Sequence, residues 1–91
     1  MSGRVSAADV QQALQAGLAG ITLLEVHDDS AAHAGHAGAR EGSHFRVRIT
    51  CGAFTGLGRV ARHRLVYDSL AVLMPQGIHA LAIDARAPGE V

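Results

Sequence analysis

HFRVRIT, residues 44–50, alternates apolar and polar side chains along its whole length. In an extended chain Phe45, Val47 and Ile49 share one side, and the two arginines between them share the other. This is the pattern of a β-strand with one buried face and one basic face exposed to solvent. The segment therefore predicts a sheet that other elements cover on a single side.

Upstream of this strand the sequence predicts a helix, a second strand and a long loop. Ser6 and Asp9 form a capping-box-like pair, and apolar residues then recur at helical spacing, so we expect a helix from Ala7 to Gly17. Residues 21–26 are rich in leucine and β-branched side chains, which indicates a strand. Residues 28–42 lack apolar periodicity and are rich in alanine, glycine and histidine, as expected for a loop of unusual length.

Downstream the sequence predicts a helix and a last strand. Apolar residues recur at helical spacing over residues 59–73, Pro75 and Gly77 are expected to end that helix, and residues 78–83 read as a strand. The order αββαβ predicts an α+β fold with a three-stranded mixed sheet and helices on one face. Because a helix crosses over between the second and third strands, these should be parallel, whereas the first two should form a hairpin.

Length and composition limit the classes of function. The chain is expected to form one domain over residues 1–91, with flexible ends at residues 1–5 and 85–91. A chain of this size has no room for a deep enclosed cleft, which argues against an elaborate enzyme. Eight basic and eight acidic residues cancel, so no global field draws the chain to nucleic acid or to an anionic membrane.

The single cysteine, Cys51, has no partner for an internal disulfide. The sequence also lacks a signal-peptide pattern and an apolar run of the ~20 residues that span a bilayer. We therefore expect a reduced, cytoplasmic setting without membrane association. No Ser/His/Asp set or pair of carboxylates stands out, and Cys51 has no evident base beside it, so the protein is not expected to be an enzyme.

Histidines are the most informative polar residues, because the chain has six of them. His79 lies in the apolar run IHALAI, residues 78–83, where a strand would hold an imidazole rigidly. His33 and His36 lie three residues apart in the long loop, a spacing compatible with a shared metal, and His27 lies near the start of that loop. Fixed and loop imidazoles together would make half of a metal site, to be completed by another molecule. The alternative is a solvated loop that merely contains imidazoles.

A second candidate site lies on the predicted helix before the last strand. Arg59, Arg62, His63 and Arg64 give its N-terminal half a basic character, and the helix dipole there favours anions, so a phosphate could dock. The alternative is a solvated helix face, with Asp68 one turn after Arg64 as a local partner.

Six blocks of sequence, taken in order, resemble the BolA-like protein family. They are LEV (24–26), DDS (28–30) with His33 beyond it, SHFRV (43–47), FTG (54–56), RHRLVY (62–67) and IHALAI (78–83). The resemblance spans the chain from the first helix to the last strand. It implies an α+β fold similar to class II KH domains, in agreement with the element order predicted above.

The resemblance also implies a function. BolA-like proteins pair with a monothiol glutaredoxin and share a [2Fe-2S] cluster, to which the glutaredoxin contributes its cysteine and a glutathione thiolate. The position of the last-strand histidine ligand matches His79, and that of the loop ligand matches His33. This chain departs from the family pattern in carrying a second loop imidazole, His36, so the loop ligand is either of the two; the distance from the acidic turn favours His33, and His27 is a third option.

The family implies a second function as well. BolA-like proteins act as stress-induced regulators of cell shape and transcription, with the KH-like helix region touching DNA, which the residues Arg59 to Arg64 would suit. Two features count against strong affinity for nucleic acid: the neutral net charge, and the position of the one GxxG match, residues 35–38, in a loop between strands and not between helices.

Overall fold

A computed structural model describes residues 5–29 and 43–90 of the chain. Its elements are helix α1 (Ala7–Gly17), strand β1 (Ile21–Asp28), strand β2 (Ser43–Cys51), a 3₁₀ turn (Gly52–Phe54), helix α2 (Arg59–Ser69), helix α3 (Met74–Gly77) and strand β3 (Ile78–Arg86). The predicted αββαβ order is confirmed, with the 3₁₀ turn and α3 as additions.

The sheet has the predicted topology. Its strand order is β1-β2-β3, so the strand with strict alternation is the central one. β1 pairs with β2 in antiparallel orientation, and β2 pairs with β3 in parallel orientation, which confirms both the hairpin and the crossover. The crossover consists of the 3₁₀ turn, α2 and α3.

The core lies between the inner face of the sheet and the helices. Phe45, Val47 and Ile49 of β2 are at most 2% exposed, as the alternation predicts. They belong to one cluster of buried residues that also contains Val10, Leu14, Phe54, Val66 and Leu70, all of them fully buried. The outer face of the sheet carries the polar positions of the strands, so helices cover one side only.

Helix α1 begins with the predicted capping box. The hydroxyl of Ser6 accepts a hydrogen bond from the amide of Asp9 at 3.1 Å, and the amide of Ser6 donates to the Asp9 carboxylate at 2.9 Å. At its end, Gly17 lies against Ser69 of α2. A Cβ atom built on Gly17 would lie 2.6 Å from the Ser69 hydroxyl oxygen, so only glycine allows the two helices to approach this closely.

Helix α2 is shorter than predicted. It ends at Ser69, residues 70–73 form turns, and a separate short helix α3 contains Pro75 in its first turn. Pro75 was expected to terminate a helix, but in a first turn the missing N–H of proline has no bond to make, so the residue is tolerated there.

The expectation of a frayed tail from residue 85 is wrong. β3 continues to Arg86, Ala87 is 4% exposed, and the guanidinium of Arg62 binds the Glu90 carboxylate through two hydrogen bonds of 2.5 and 2.7 Å. Arg62 also donates to the carbonyls of Leu57 at 2.8 Å and Ala85 at 3.3 Å. The contact of Arg62 with Glu90 joins residues 28 positions apart, so local sequence patterns could not predict it.

The prediction of a flexible N-terminus over residues 1–5 does not hold for Val5, the one residue of that range within the described part of the chain. Val5 is 3% exposed and belongs to the buried cluster, because the chain packs its side chain there before α1 begins. Residues 1–4 and Val91 lie outside the part of the chain that the structure describes.

The pair of Arg62 and Glu90 predicts an acid-sensitive contribution to stability. The hydrogen bonds from Arg62 and from the Ala87 amide lower the pKa of Glu90 from 4.5 to about 2. A lowered carboxyl pKa stabilises the fold above the unfolded pKa, and this stabilisation is lost as the pH falls through the folded pKa. We expect Glu90→Gln to lower the melting temperature modestly at neutral pH, since the Glu90 side chain is 45% exposed, and the difference from wild type to shrink between about pH 4.5 and about pH 2. Thermal melts followed by circular dichroism check this; a difference that stays constant across that range contradicts it.

Candidate functional site

Three strand ends meet at one end of the sheet. Because β1 runs antiparallel and β3 parallel to β2, the last residue of β1 lies at the same end as the first residues of β2 and β3. The amide of Asp29 donates to the carbonyl of His44 at 2.7 Å and so extends the pairing of β1 and β2 beyond Asp28. We call this end, marked by Asp29, His44 and His79, the loop end of the sheet.

The predicted loop ligands flank this site in sequence. His33 and His36 lie outside the described residues, so their positions stay a prediction. The residues on either side of their segment, Asp29 and Ser43, are both at the loop end. The segment therefore leaves and rejoins the sheet at the end where β3 begins.

His79 occupies an irregular position at the start of β3. In the pairing of β2 with β3, Ser43 lies opposite Ile78 and His44 lies opposite Ala80, so His79 is an extra residue without a Cα partner. Such a bulge increases the local twist of a strand and changes the direction of its side chains, and bulges are common beside functional sites. The sequence predicted the strand but gave no sign of this bulge.

A groove of about 250 Å³ lies at the loop end. It is lined by Asp29, His44, Phe45, Ala80, Leu81 and Ala82. Ala80 and Ala82 are exposed, and their small side chains leave the surface of β3 beside His44 recessed. Three of its lining residues, Ala80, Leu81 and Ala82, directly follow His79 in the sequence. The volume of the groove is sufficient for a group larger than a single ion.

An ion pair lies at the point where the chain leaves β1 toward residues 30–42. Arg46, on the outer face of β2, lies 3.1 Å from the carboxylate of Asp29, the last described residue before the loop. This role of Arg46 was not predicted, although the acidic residues 28 and 29 and the arginines of β2 were the signal for it in the sequence. The contact fixes the point from which the segment with His33 and His36 departs.

The remaining candidates for ligands lie elsewhere. His27 is on the outer face of β1, its side chain is 61% exposed, and its Nε2 atom lies 3.8 Å from Glu25. Cys51 is buried at the opposite end of the sheet, where its thiol donates to the carbonyl of Ala19 at 3.0 Å. Within residues 5–29 and 43–90, no group of three or more histidine, cysteine, aspartate or glutamate side chains is arranged to hold a metal ion.

The four basic residues predicted to contact nucleic acid differ in how available their charges are. Arg59 and Arg64 are exposed and His63 is half-buried. The Arg62 side chain is 13% exposed and is engaged by Glu90 and two carbonyls, so its charge is already matched within the fold. Arg62 thus connects α2 with the end of β3.

The solvent face of β2 is less basic than its sequence indicates. Arg48 lies opposite Glu25 of β1 and opposite Asp84 of β3, and its guanidinium is 3.9 Å from the Glu25 carboxylate. Arg46 is matched by Asp29, as described above. The two arginines are exposed as predicted, but their charge is partly balanced, because folding places the carboxylates of Asp29 and Glu25 beside them.

The described helices include none with the length and apolar character needed to cross a bilayer.

Comparisons with known proteins agree with the fold. A family model described as BolA-like protein matches residues 14–90. An uncharacterized protein in the cobS 5' region of Sinorhizobium sp is 49% identical over 70 residues, which are 74% of this chain and 75% of that protein. SufE-like protein 1, chloroplastic/mitochondrial, of Arabidopsis thaliana is 47% identical over 74 residues, which are 75% of this chain but 20% of that protein.

A solved structure, the BolA domain of SufE1 from Arabidopsis thaliana, superimposes with a TM-score of 0.79 at 44% identity and covers 93% of this chain and 94% of that domain. The chain thus corresponds to one domain of the much longer SufE-like relative.

Proposed function

Because this chain belongs to the BolA-like protein family, we propose that it is a non-enzymatic adaptor that binds a monothiol glutaredoxin and helps to coordinate a [2Fe-2S] cluster with histidines. The observation that carries the proposal is the meeting of strand ends at the loop end of the sheet. It places the backbone of His79 at the same end of the fold as both attachment points of the segment that contains His33 and His36.

The residues suit a shared cluster. Imidazole nitrogens are established ligands of [2Fe-2S] centres, where they replace thiolates on one iron. Two histidines would supply half of the four terminal ligands of such a cluster, and thiolates of the glutaredoxin and of its glutathione would supply the rest. The groove beside His79 adds space at the place where the two proteins would meet. In this arrangement His79 and one of His33 and His36 hold the cluster.

Ligation by histidine has two physical consequences. A neutral imidazole in place of a thiolate makes the cluster less negative and raises its reduction potential, as in Rieske centres. The ligand must also be deprotonated, so the shared cluster should weaken when the pH falls below the ordinary histidine range. Both properties fit an adaptor that senses or passes on a cluster.

A titration with a cluster-loaded monothiol glutaredoxin tests the proposal. We expect addition of this protein to change the visible absorption and circular dichroism of the cluster, because imidazole ligands replace existing ones. Imidazole signals of isotope-labelled His79 and of His33 or His36 should shift or broaden in NMR spectra of the same samples. A visible spectrum that is unaltered at saturating concentrations overturns the proposal.

The nucleic-acid function is the weaker candidate. Only Arg59 and Arg64 of the predicted set are fully exposed, and the arginines of β2 are matched by carboxylates. A short duplex DNA added at low salt distinguishes the two functions, because binding driven by phosphate contacts is strongest there.

A further inference from the structure

The outward face of α2 carries an unusual concentration of apolar side chains. Four large hydrophobic residues are exposed among those described, and three of them lie on α2 or in the turns that follow it: Val60 at 71%, Tyr67 at 41% and Val72 at 73%. The buried side of the same helix, with Val66 and Leu70, already packs against the core. The three exposed side chains are not part of the buried cluster or of the residues packed against it.

Residues on this face follow a symmetric pattern about position 66. Arg64 and Asp68 lie two residues before and after it, and Val60 and Val72 lie six residues before and after it. Successive turns of α2 bring Val60, Arg64 and Asp68 to the same side of the helix. Val72, in the turns after α2, lines the same groove as Asp68. From the N-terminal to the C-terminal end the order is apolar, basic, acidic, apolar; read in the opposite direction, the acidic residue comes before the basic one.

This pattern is self-complementary in antiparallel packing. When two such helices pack with a twofold axis at the level of residue 66, Arg64 lies beside Asp68 of the second copy, and Val60 lies beside Val72 of the second copy. Each contact then occurs twice, which is the defining property of an isologous interface. We propose that the outward face of α2 is a homodimer interface whose partner is a second copy of this chain.

The charges on this face are available for such a contact. Among the ion pairs of the described residues, none involves Arg64 or Asp68. Within one helix, an acidic residue four positions after a basic one is the less favourable order, because it opposes the helix dipole. An ion pair between Arg64 of one copy and Asp68 of the other does not depend on the order of the two residues within one helix.

A groove beside this face supplies a concave surface for the partner. It has a volume of about 550 Å³, lies between α1 and the end of α2, and is lined by Ala13, Ala16, Gly17, Val72 and Leu73 together with polar residues. Its charged lining residues, Asp9 and Asp68, are both acidic. In the antiparallel arrangement Val60 of the second copy reaches the rim of this groove at Val72, and Arg59 of the second copy brings a positive charge to that rim.

The interface is small, so the dimer should be concentration-dependent. The helical part of this face, from Val60 to Asp68, is about 12 Å long at 1.5 Å per residue, and together with Val72 it buries less than a standard stable interface. We expect sedimentation velocity to detect association between about 10 μM and about 1 mM protein at low salt, and added salt to weaken it.

A charge exchange tests the proposal. Arg64→Asp alone and Asp68→Arg alone should each weaken association by at least about tenfold, because each places like charges opposite one another. The double variant Arg64→Asp/Asp68→Arg should restore association to within a few-fold of wild type. Arg48→Asp, an exposed charge on the outer sheet face, is the matched control and should leave association unchanged.

The apolar part is tested independently by Val60→Ser, which should weaken association without lowering the melting temperature. A chain that remains monomeric at all of these concentrations overturns the proposal, as does a double variant that fails to recover while it keeps the wild-type far-ultraviolet spectrum. The test uses the isolated chain, so its outcome is independent of whether a glutaredoxin or a cluster binds at the loop end.

Discussion

The His79→Ala variant is expected to leave the visible circular dichroism of a cluster-loaded monothiol glutaredoxin unchanged, whereas the wild-type chain alters it. His79 is the second residue of β3, at the loop end, so among the proposed ligands it is the one that belongs to a described strand. Removal of its imidazole leaves only one imidazole, that of His33 or His36, and a single imidazole competes poorly with thiolate for iron. The measurement is a titration of the loaded glutaredoxin with each variant, followed at visible wavelengths.

His63→Ala is the matched control, because it removes an imidazole from α2 and should preserve the wild-type response. His33→Ala and His36→Ala separate the two loop candidates: we expect the first to reduce the spectral change more than the second. A full spectral response from His79→Ala, with the variant folded as judged by its melting temperature, excludes His79 as a ligand. The conservative His79→Gln variant repeats the test if the alanine variant melts at a lower temperature.

Leu14→Ala is expected to have the largest effect on stability. Leu14 is fully buried in the centre of α1 and belongs to the cluster that joins this helix to the sheet. Truncation of a buried leucine typically costs about 2–5 kcal/mol through lost burial and the cavity that remains. A domain of 91 residues is expected to have a free energy of unfolding of about 5–14 kcal/mol, so this single change removes a large share of it.

Leu23→Ala provides the comparison, because the same atoms are removed from a leucine that is 38% exposed on the outer face of β1. Its cost should stay below about 1 kcal/mol. Urea denaturation of both variants measures the difference as a shift of the midpoint with an unchanged slope. Equal midpoints for the two variants contradict the assignment of the core to the inner face.

Local patterns were enough to predict the secondary structure and its order. The alternation of HFRVRIT defines β2 and its buried face, and the Ser6 and Asp9 pair defines the start of α1, because each pattern depends on neighbours within one or two turns. The errors at element ends have a common cause. The end of α2 and the extension of β3 to Arg86 depend on contacts with distant parts of the chain, which periodicity does not encode.

The candidate site was predicted in part. The sequence singled out His79 as an imidazole on a strand, and chain order alone implied that a parallel β3 begins near the end of the hairpin loop. The bulge at His79 and the ion pair of Arg46 with Asp29 were not predicted, because both depend on strand register. Register also changed the interpretation of Arg48, which lies opposite two carboxylates.

Residue types and their spacing were sufficient to predict the α+β class, the pairing of the three strands and the family. Which charges remain available depends on contacts that form only in the folded chain. Arg62 is fixed by Glu90 and the arginines of β2 are matched across the sheet, while Arg64 and Asp68 have no ion-pair partner among the described residues. The physical reason is that a charge acts through its nearest opposite charge in space, and folding brings together carboxylates and guanidinium groups that are far apart in sequence.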